Sequence, residues 1–269
     1  MNKRVNLWPE RRRALKKALA SFRKGEPEGL HDVRVCLRRI AATAAALREK
    51  KIERRSKSLV RSLSKLRQLE VDRQLLARVR DLGVLSPDVA AGLDARWDGL
   101  FATGAREAAA VATGRPMRHL LERLARPPRV SETDLSRLLQ RARRAADRAV
   151  AHPPEGGSER ELHRYRIAVK KARYLAEDLA LLGAPDAAAA ATRLKAVQEA
   201  LGRWNDVRLF RHHLARTRRE AEKRGSVTLA LELDRLLTAL DRTVEKARAD
   251  ALEAMHPMSN IAPIRRKLA

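Results

Sequence analysis

The sequence holds a single cysteine, Cys36, and few aromatic side chains: three Trp, two Tyr and three Phe in 269 residues. One cysteine excludes an internal disulfide framework and a Cys-rich zinc module. Scarce aromatic and β-branched residues disfavour strands, while abundant Ala, Leu, Arg and Glu favour helices. No stretch reaches the ~18 uninterrupted apolar residues of a membrane span. Met1 to Arg13 carries basic groups with no apolar run behind them, so no secretory signal is read there and the expected compartment is the cytoplasm. Acids are short too: 33 Asp and Glu stand against 59 Lys and Arg, a net charge of +26. Such a surplus opposes folding by self-repulsion and points to a polyanionic partner: nucleic acid, an anionic surface or a chain of phosphates. With 44% apolar residues the chain has material for a core, and its length suits one large domain or two smaller halves.

What is present is helical periodicity, cut by Pro and Gly. The spacing predicts a helix beginning at Pro9, then helices over about 30–50, 56–81 and 87–125, the last with Gly92, Gly99, Gly104, Gly114 and Pro116 suggesting irregularity or a break. Pro127-Pro128 forms the central boundary. Ser131 and Asp134 then make a variant capping box, and helices follow over about 134–152, 158–182, 186–224 and 226–255. No segment alternates with strand period over a useful length. The reading is all-α, with two pseudo-symmetric bundles of about four helices each, 1–128 and 129–256, and a disordered tail over 257–269.

The halves resemble each other in sequence. Leu30-His31-Asp-Val-Arg34-Val-Cys-Leu-Arg38-Arg39 aligns with Leu162-His163-Arg-Tyr-Arg166-Ile-Ala-Val-Lys170-Lys171. A second alignment pairs Lys57 with Lys195, Leu63 with Leu201, Ser64 with Gly202 and Leu69 with Val207. Two alignments in one order, with a longer connection between them in the second half, read as a duplicated helical unit.

At about 100° per residue, His31, Arg34 and Arg38 share one face of their helix, with Arg39 at its edge. Val33, Leu37, Ile40, Ala44 and Leu47 gather opposite. The second copy does the same, with His163, Arg166, Lys170 and Tyr174 on one stripe and Val169, Ala172, Ala176 and Leu179 on the other. A basic face opposite an apolar one is commonly just a solvated surface. Solvation alone, however, requires neither the His nor its repetition at matching positions. Asp32 is the only acid between His31 and Arg48, so i,i+4 pairs do not neutralise the first stripe. Cations one helical turn apart suit an extended anion with a short phosphate repeat.

At these residues the sequence resembles the conserved histidine α-helical domain family, CHAD, whose hallmark is a Leu-His-x-x-Arg-[Val/Ile] helix in each of two helical halves. Leu201-Gly202-Arg203-Trp204-Asn205-Asp206 resembles the family's second signature, Leu-Gly-x-x-Asn-Asp. The first-half counterpart is Leu63-Ser64-Lys65-Leu66-Arg67-Gln68-Leu69-Glu70-Val71, where Ser64 replaces the usual Gly and Gln68 the usual acid. The resemblance covers about 10–255. It implies a helical bundle that binds inorganic polyphosphate in a basic channel between the halves. An interaction scaffold on polyphosphate granules is a further alternative, compatible with that reading. The candidate polyphosphate contacts are then His31, Arg34, Arg38, Arg39, Lys57 and Arg67 in the first half. In the second they are His163, Arg166, Lys170, Lys171, Arg173, Lys195 and Arg203. Tyr174, Gly202, Asn205 and Asp206 are read as orienting or structural. Gly202 admits a close approach by another helix or by an anion. Asn205 suits either a helix cap or a ligand bond, and Asp206 suits orientation of a nearby Arg or His.

Other chemistries find little support. His212 and His213 are adjacent and diverge by about 100°, so they do not form an i,i+4 metal pair. No phosphate-cradling Gly-rich loop occurs, and Glu220-Ala-Glu222-Lys223 has the wrong spacing for a triphosphate-tunnel strand. Cys36 lies toward the apolar side and reads as core, as does Trp204. No catalytic constellation, metal or cofactor is expected. The chief competitor is a nucleic-acid binder, which charge alone fits equally well; the dispersed Trp8, Trp97 and Trp204 do not form a stacking platform.

Overall fold

A computed structural model of the chain describes residues 7–256 except 82, 152, 153, 155–157 and 185. The expected disordered tail and most of the Pro153–Gly157 break lie outside the described residues. Among those described the regular structure is helical: α1 (Leu7–Arg23), α2 (Gly29–Ala46), α3 (Lys50–Ser62), α4 (Ser64–Arg80), α5 (Pro87–Thr113), α6 (Arg115–Ala125), α7 (Glu132–Ala151), α8 (Glu159–Leu181), α9 (Ala187–Lys223) and α10 (Val227–Glu253). The first half thus has six helices and the second four. Two of the expected runs are divided, while Gly92, Gly99 and Gly104 lie inside an unbroken α5. The 56–81 run divides at Leu63, the C-cap of α3. The 87–125 run divides at Gly114, where a Cβ would stand 2.7 Å from the Ala110 carbonyl oxygen. The break expected after residue 50 instead falls at Leu47–Glu49, where Arg48 takes a left-handed φ of 62°.

The helix starts follow their sequence signals. Ser131 Oγ accepts from the Asp134 N–H and Asp134 Oδ2 accepts from the Ser131 N–H, each at 3.1 Å, completing the variant capping box. Ser158 and Glu161 form another at the start of α8. Between α1 and α2 the chain turns so tightly that a Cβ on Gly29 would lie 2.5 Å from Phe22 Cα, so only glycine fits.

The chain forms two compact units that run across the sequence halves. The first holds 1–64, 107–198 and 255–269, and the second holds 65–106 and 199–254. In the first unit α2 packs against α1, α3, α7 and α8. Its apolar back is fully enclosed, with Val33, Leu37, Ile40 and Ala44 buried. Tyr165 of α8 ties back to α7, donating to the Ala149 carbonyl at 2.7 Å. Burial pushes that phenol up to about 12. Cys36 is buried as expected, and burial raises its thiol.

The second unit is built from α4, most of α5, the later part of α9 and α10. Its core includes Leu76, Trp97, Phe210, Leu214, Leu233 and Leu236. Around that core, basic side chains meet acids: Arg73–Asp98, Arg80–Asp94, Arg211–Asp241 and Arg218–Asp234. Beneath them Asp72 is almost wholly buried, accepting from Gln68 Nε2 at 2.9 Å and lying 2.6 Å from His213 Nδ1.

Candidate functional site

The two His-x-x-Arg helices, α2 and α8, belong to the first unit and pack on each other. Polar side chains bridge this contact. Arg39 of α2 donates from Nε and Nη2 to the two Glu177 oxygens of α8, at 2.6 and 3.0 Å. Arg173 Nε reaches the same carboxylate at 2.8 Å from one turn earlier. Burial alone would push Glu177 up, but its Arg39 hydrogen bond and charge, with Arg173, outweigh burial and hold it below its ordinary value. Burial likewise opposes the charge on Arg39, and Glu177 more than restores it. Next along α8, Asp178 is fully buried and receives Arg11 of α1 and the Thr43 hydroxyl of α2, the latter at 2.7 Å. Burial pushes this carboxyl up against the pull of Arg11 and Thr43.

Two adjacent acids of α8 therefore fasten three helices, and the sequence reading singled out neither. Their signal was available only weakly. Glu177 lies four residues after Arg173, a spacing that pairs on any helix. Its partner Arg39 is distant in sequence, and Arg39 and Arg173, expected as anion contacts, are both held by this acid.

The expectation that a basic face could be merely solvated fails for α2. Arg34 is 9% exposed, and Arg38 and Arg39 are half-buried. Arg34 Nη2 donates to Ser64 Oγ at 3.3 Å, and Ser64 Oγ donates to the Val60 carbonyl at 2.6 Å. The hydroxyl that replaces the signature's glycine thus connects the two first-half motifs. Arg38 makes no ion pair among the described residues.

On the second copy His163 and Lys171 are exposed, and Arg166 and Lys170 are half-buried. Around Lys171 stand Arg148 and Arg141 of α7 and Lys57 of α3, with the acid Glu53 also close enough to act on it. Burial first, then Arg148, Arg141 and Lys57, pull the Lys171 ammonium below its ordinary value, and Glu53 offsets only part. Lys57 pairs with Glu53, and Arg141 donates to the Ala45 carbonyl near the end of α2. Arg141 and Arg148 were missed in sequence because α7 carries no copy of the motif. Lys195 is exposed. Tyr174 is buried, with the Arg173 guanidinium 5.5 Å from its ring centroid.

The remaining candidates belong to the second unit. Arg67, which pairs with Glu70 at 3.1 Å, lines a cavity of about 370 Å³ together with Arg203 and Asp206. The close crossing suggested by Gly202 is not found, since a Cβ there would meet no described atom within 4 Å. Nor does Asn205 cap a broken helix, because α9 runs through it without interruption. It is buried, its amide 3.5 Å from Asp206 Oδ1, and this is the only side-chain bond found for Asp206 among the described residues. Trp204 is buried as expected. Among the described residues no helix is long and apolar enough to cross a membrane, and no three His, Cys, Asp or Glu are grouped to hold a metal ion.

Fold and motifs define a strongly basic, all-helical protein carrying two His-x-x-Arg helices in one compact unit. A family model described as the CHAD domain matches residues 7–215, and the chain belongs to that family. Two solved structures share its fold. "PptA from Streptomyces chartreusis" is similar with a TM-score of 0.70 at 19% identity, over 92% of this chain and 95% of that one. The CHAD domain of the plant Ricinus communis is similar with a TM-score of 0.65 at 20% identity, over 98% and 95%. A comparison with curated proteins finds no match by sequence.

Proposed function

We propose that this protein binds inorganic polyphosphate, without chemical turnover, on the cationic face built by α2, α3, α7 and α8 of the first unit. One observation carries the reading. Lys57, Arg141 and Arg148 act on Lys171 from two neighbouring helices, and the Glu53 charge offsets only part of their effect, so like charges crowd an ammonium that reaches solvent. A bound polyanion relieves that repulsion. His31, Arg34 and Arg38 on α2, with His163, Arg166 and Lys170 on α8, extend the face at one-turn intervals of ~5.4 Å, a spacing suited to neighbouring phosphates.

The aromatic rings favour phosphate over bases. Trp8, Trp97, Trp204, Tyr165, Tyr174 and Phe210 are all buried, and Phe101 is covered by Arg73 at 4.5 Å. A single-strand binder needs such rings at its surface. Binding of this kind would also recruit the protein to polyphosphate granules.

The test is titration of the full chain with long-chain polyphosphate, single-stranded DNA and duplex DNA, at matched phosphate concentration and about 150 mM salt. Polyphosphate is expected to bind tightest and to be recovered with unchanged chain length. Tighter binding by either DNA, or release of phosphate, would overturn the reading.

A further inference from the structure

The second unit contains a cavity whose lining does not suit a bare phosphate chain. Three helices each turn one face toward it. On α4 the lining residues recur at 67, 71, 74, 75 and 78, on α9 at 203, 206 and 207, and on α10 at 243, 246, 247 and 250. These are successive turns of single helix faces. At about 370 Å³ the space falls within the usual range of small-molecule sites.

Its floor is apolar. Leu75 and Val207 pack against the core of the unit on one side and line the cavity on the other, joined there by Val71 and Ala247. Its walls carry four cations, Arg67, Arg78, Arg203 and Lys246. Of these only Arg67 has an ion-pair partner among the described residues, although the rest of the unit matches many of its arginines with acids. Two carboxylates, Asp206 and Asp250, face the same space, and neither forms an ion pair among the described residues.

We infer that this cavity binds a phosphorylated organic molecule carrying a ring, with the chemistry of a nucleoside diphosphate. Each part of the lining then has a partner. The phosphates take Arg203, Arg78 and Lys246, and the ring covers Leu75, Val207 and Ala247. Sugar hydroxyls or an exocyclic amine donate to Asp206 and Asp250. Inorganic polyphosphate satisfies only the cations. It offers no apolar surface to the floor and no proton donor to the carboxylates, which repel it. The inference concerns a different unit from the polyphosphate face and stands or falls separately.

Calorimetric titration of the full chain with ADP and with inorganic pyrophosphate tests it, because the two probes share a diphosphate and differ by the nucleoside. ADP is expected to bind at least tenfold tighter than pyrophosphate. Arg78→Ala/Lys246→Ala, at exposed positions, is expected to weaken ADP about tenfold or more while leaving the helical circular dichroism and polyphosphate affinity unchanged. Ala247→Trp, which fills the cavity, should weaken ADP as strongly; if that variant fails to fold, the double variant decides. Equal affinity for ADP and pyrophosphate, undiminished ADP binding by the double variant, or parallel loss of ADP and polyphosphate binding overturns the inference. ADP binding by a chain that ignores polyphosphate would uphold it and overturn only the polyphosphate reading.

Discussion

Arg39 and Glu177 join the two His-x-x-Arg helices through two hydrogen bonds, 2.6 and 3.0 Å long, at a half-buried contact between α2 and α8. A bidentate guanidinium–carboxylate pair fixes orientation as well as distance. Glu177 also holds Arg173, so one carboxylate aligns cations from both helices. This makes Glu177 a positioning residue for the basic face.

Glu177→Ala should therefore destabilise the protein by roughly 2 kcal/mol, since it strands two arginines in a partly desolvated contact. Urea unfolding followed by circular dichroism checks this. Wild-type stability in the variant would mean that the contact contributes nothing.

The same carboxylate predicts an acid response. Its folded value lies below the ordinary carboxylate value, so the stability it adds is fully present above the unfolded pKa of about 4.3. That stability is lost as pH falls through the lower, folded value. Glu177→Gln removes this titration, so the stability difference between wild type and variant should shrink as pH drops from 6 to 3.5. Urea midpoints across that range provide the measurement, and a constant difference would refute the assignment.

Two glycines should respond in opposite directions. Gly29→Ala forces a Cβ against the Phe22 backbone at 2.5 Å and should cost about 1–3 kcal/mol. Gly202→Ala meets open space inside a continuous helix and should stabilise by ~0.5–1 kcal/mol. Thermal melts of both variants check the contrast, and a destabilised Gly202→Ala would require a neighbour within 4 Å that is not found among the described residues.

Lys171 should be unusually reactive. Its pKa is pulled down by burial and by Arg148, Arg141 and Lys57, so more of it is neutral at pH 8 than of an ordinary lysine. Trace acylation read by mass spectrometry should label Lys171 faster than the exposed Lys16 and Lys17. Added polyphosphate should protect it selectively, and uniform labelling of all three would contradict the crowded-cation account.

The helices and most of their ends were legible in sequence, because Pro, Gly and capping residues act locally. Ser131–Asp134 follows from a few neighbouring residues, whereas of the glycines that suggested a break in the 87–125 run only Gly114 makes one, and Gly92, Gly99 and Gly104 lie inside α5. The motif helices were legible because the pattern occurs twice. What covers them was not. A helical wheel places Arg34 and Arg38 on a front face, but α7 and α8, which begin far along the chain at Glu132 and Glu159, also pack on α2 and bury much of it. Arg141 and Arg148 stayed hidden for the same reason, since nothing in α7 alone marks them as neighbours of Lys171. The Asp72–His213 pair likewise exists only because α4 and α9 meet. In sequence, His213 stands out only as half of an adjacent His pair unsuited to metal.

The central claim is a multivalent phosphate site on the first unit, and the affinity for long-chain polyphosphate measured against salt concentration tests it most directly. With ~6 cations engaged and about −0.7 per contact, the slope of log affinity against log salt should be roughly −4. Arg141→Ala/Lys171→Ala should weaken binding and flatten that slope by about 1.4, with the helical signal unchanged. A flat wild-type slope, or a folded double variant that binds polyphosphate like wild type at every salt concentration, would contradict the account.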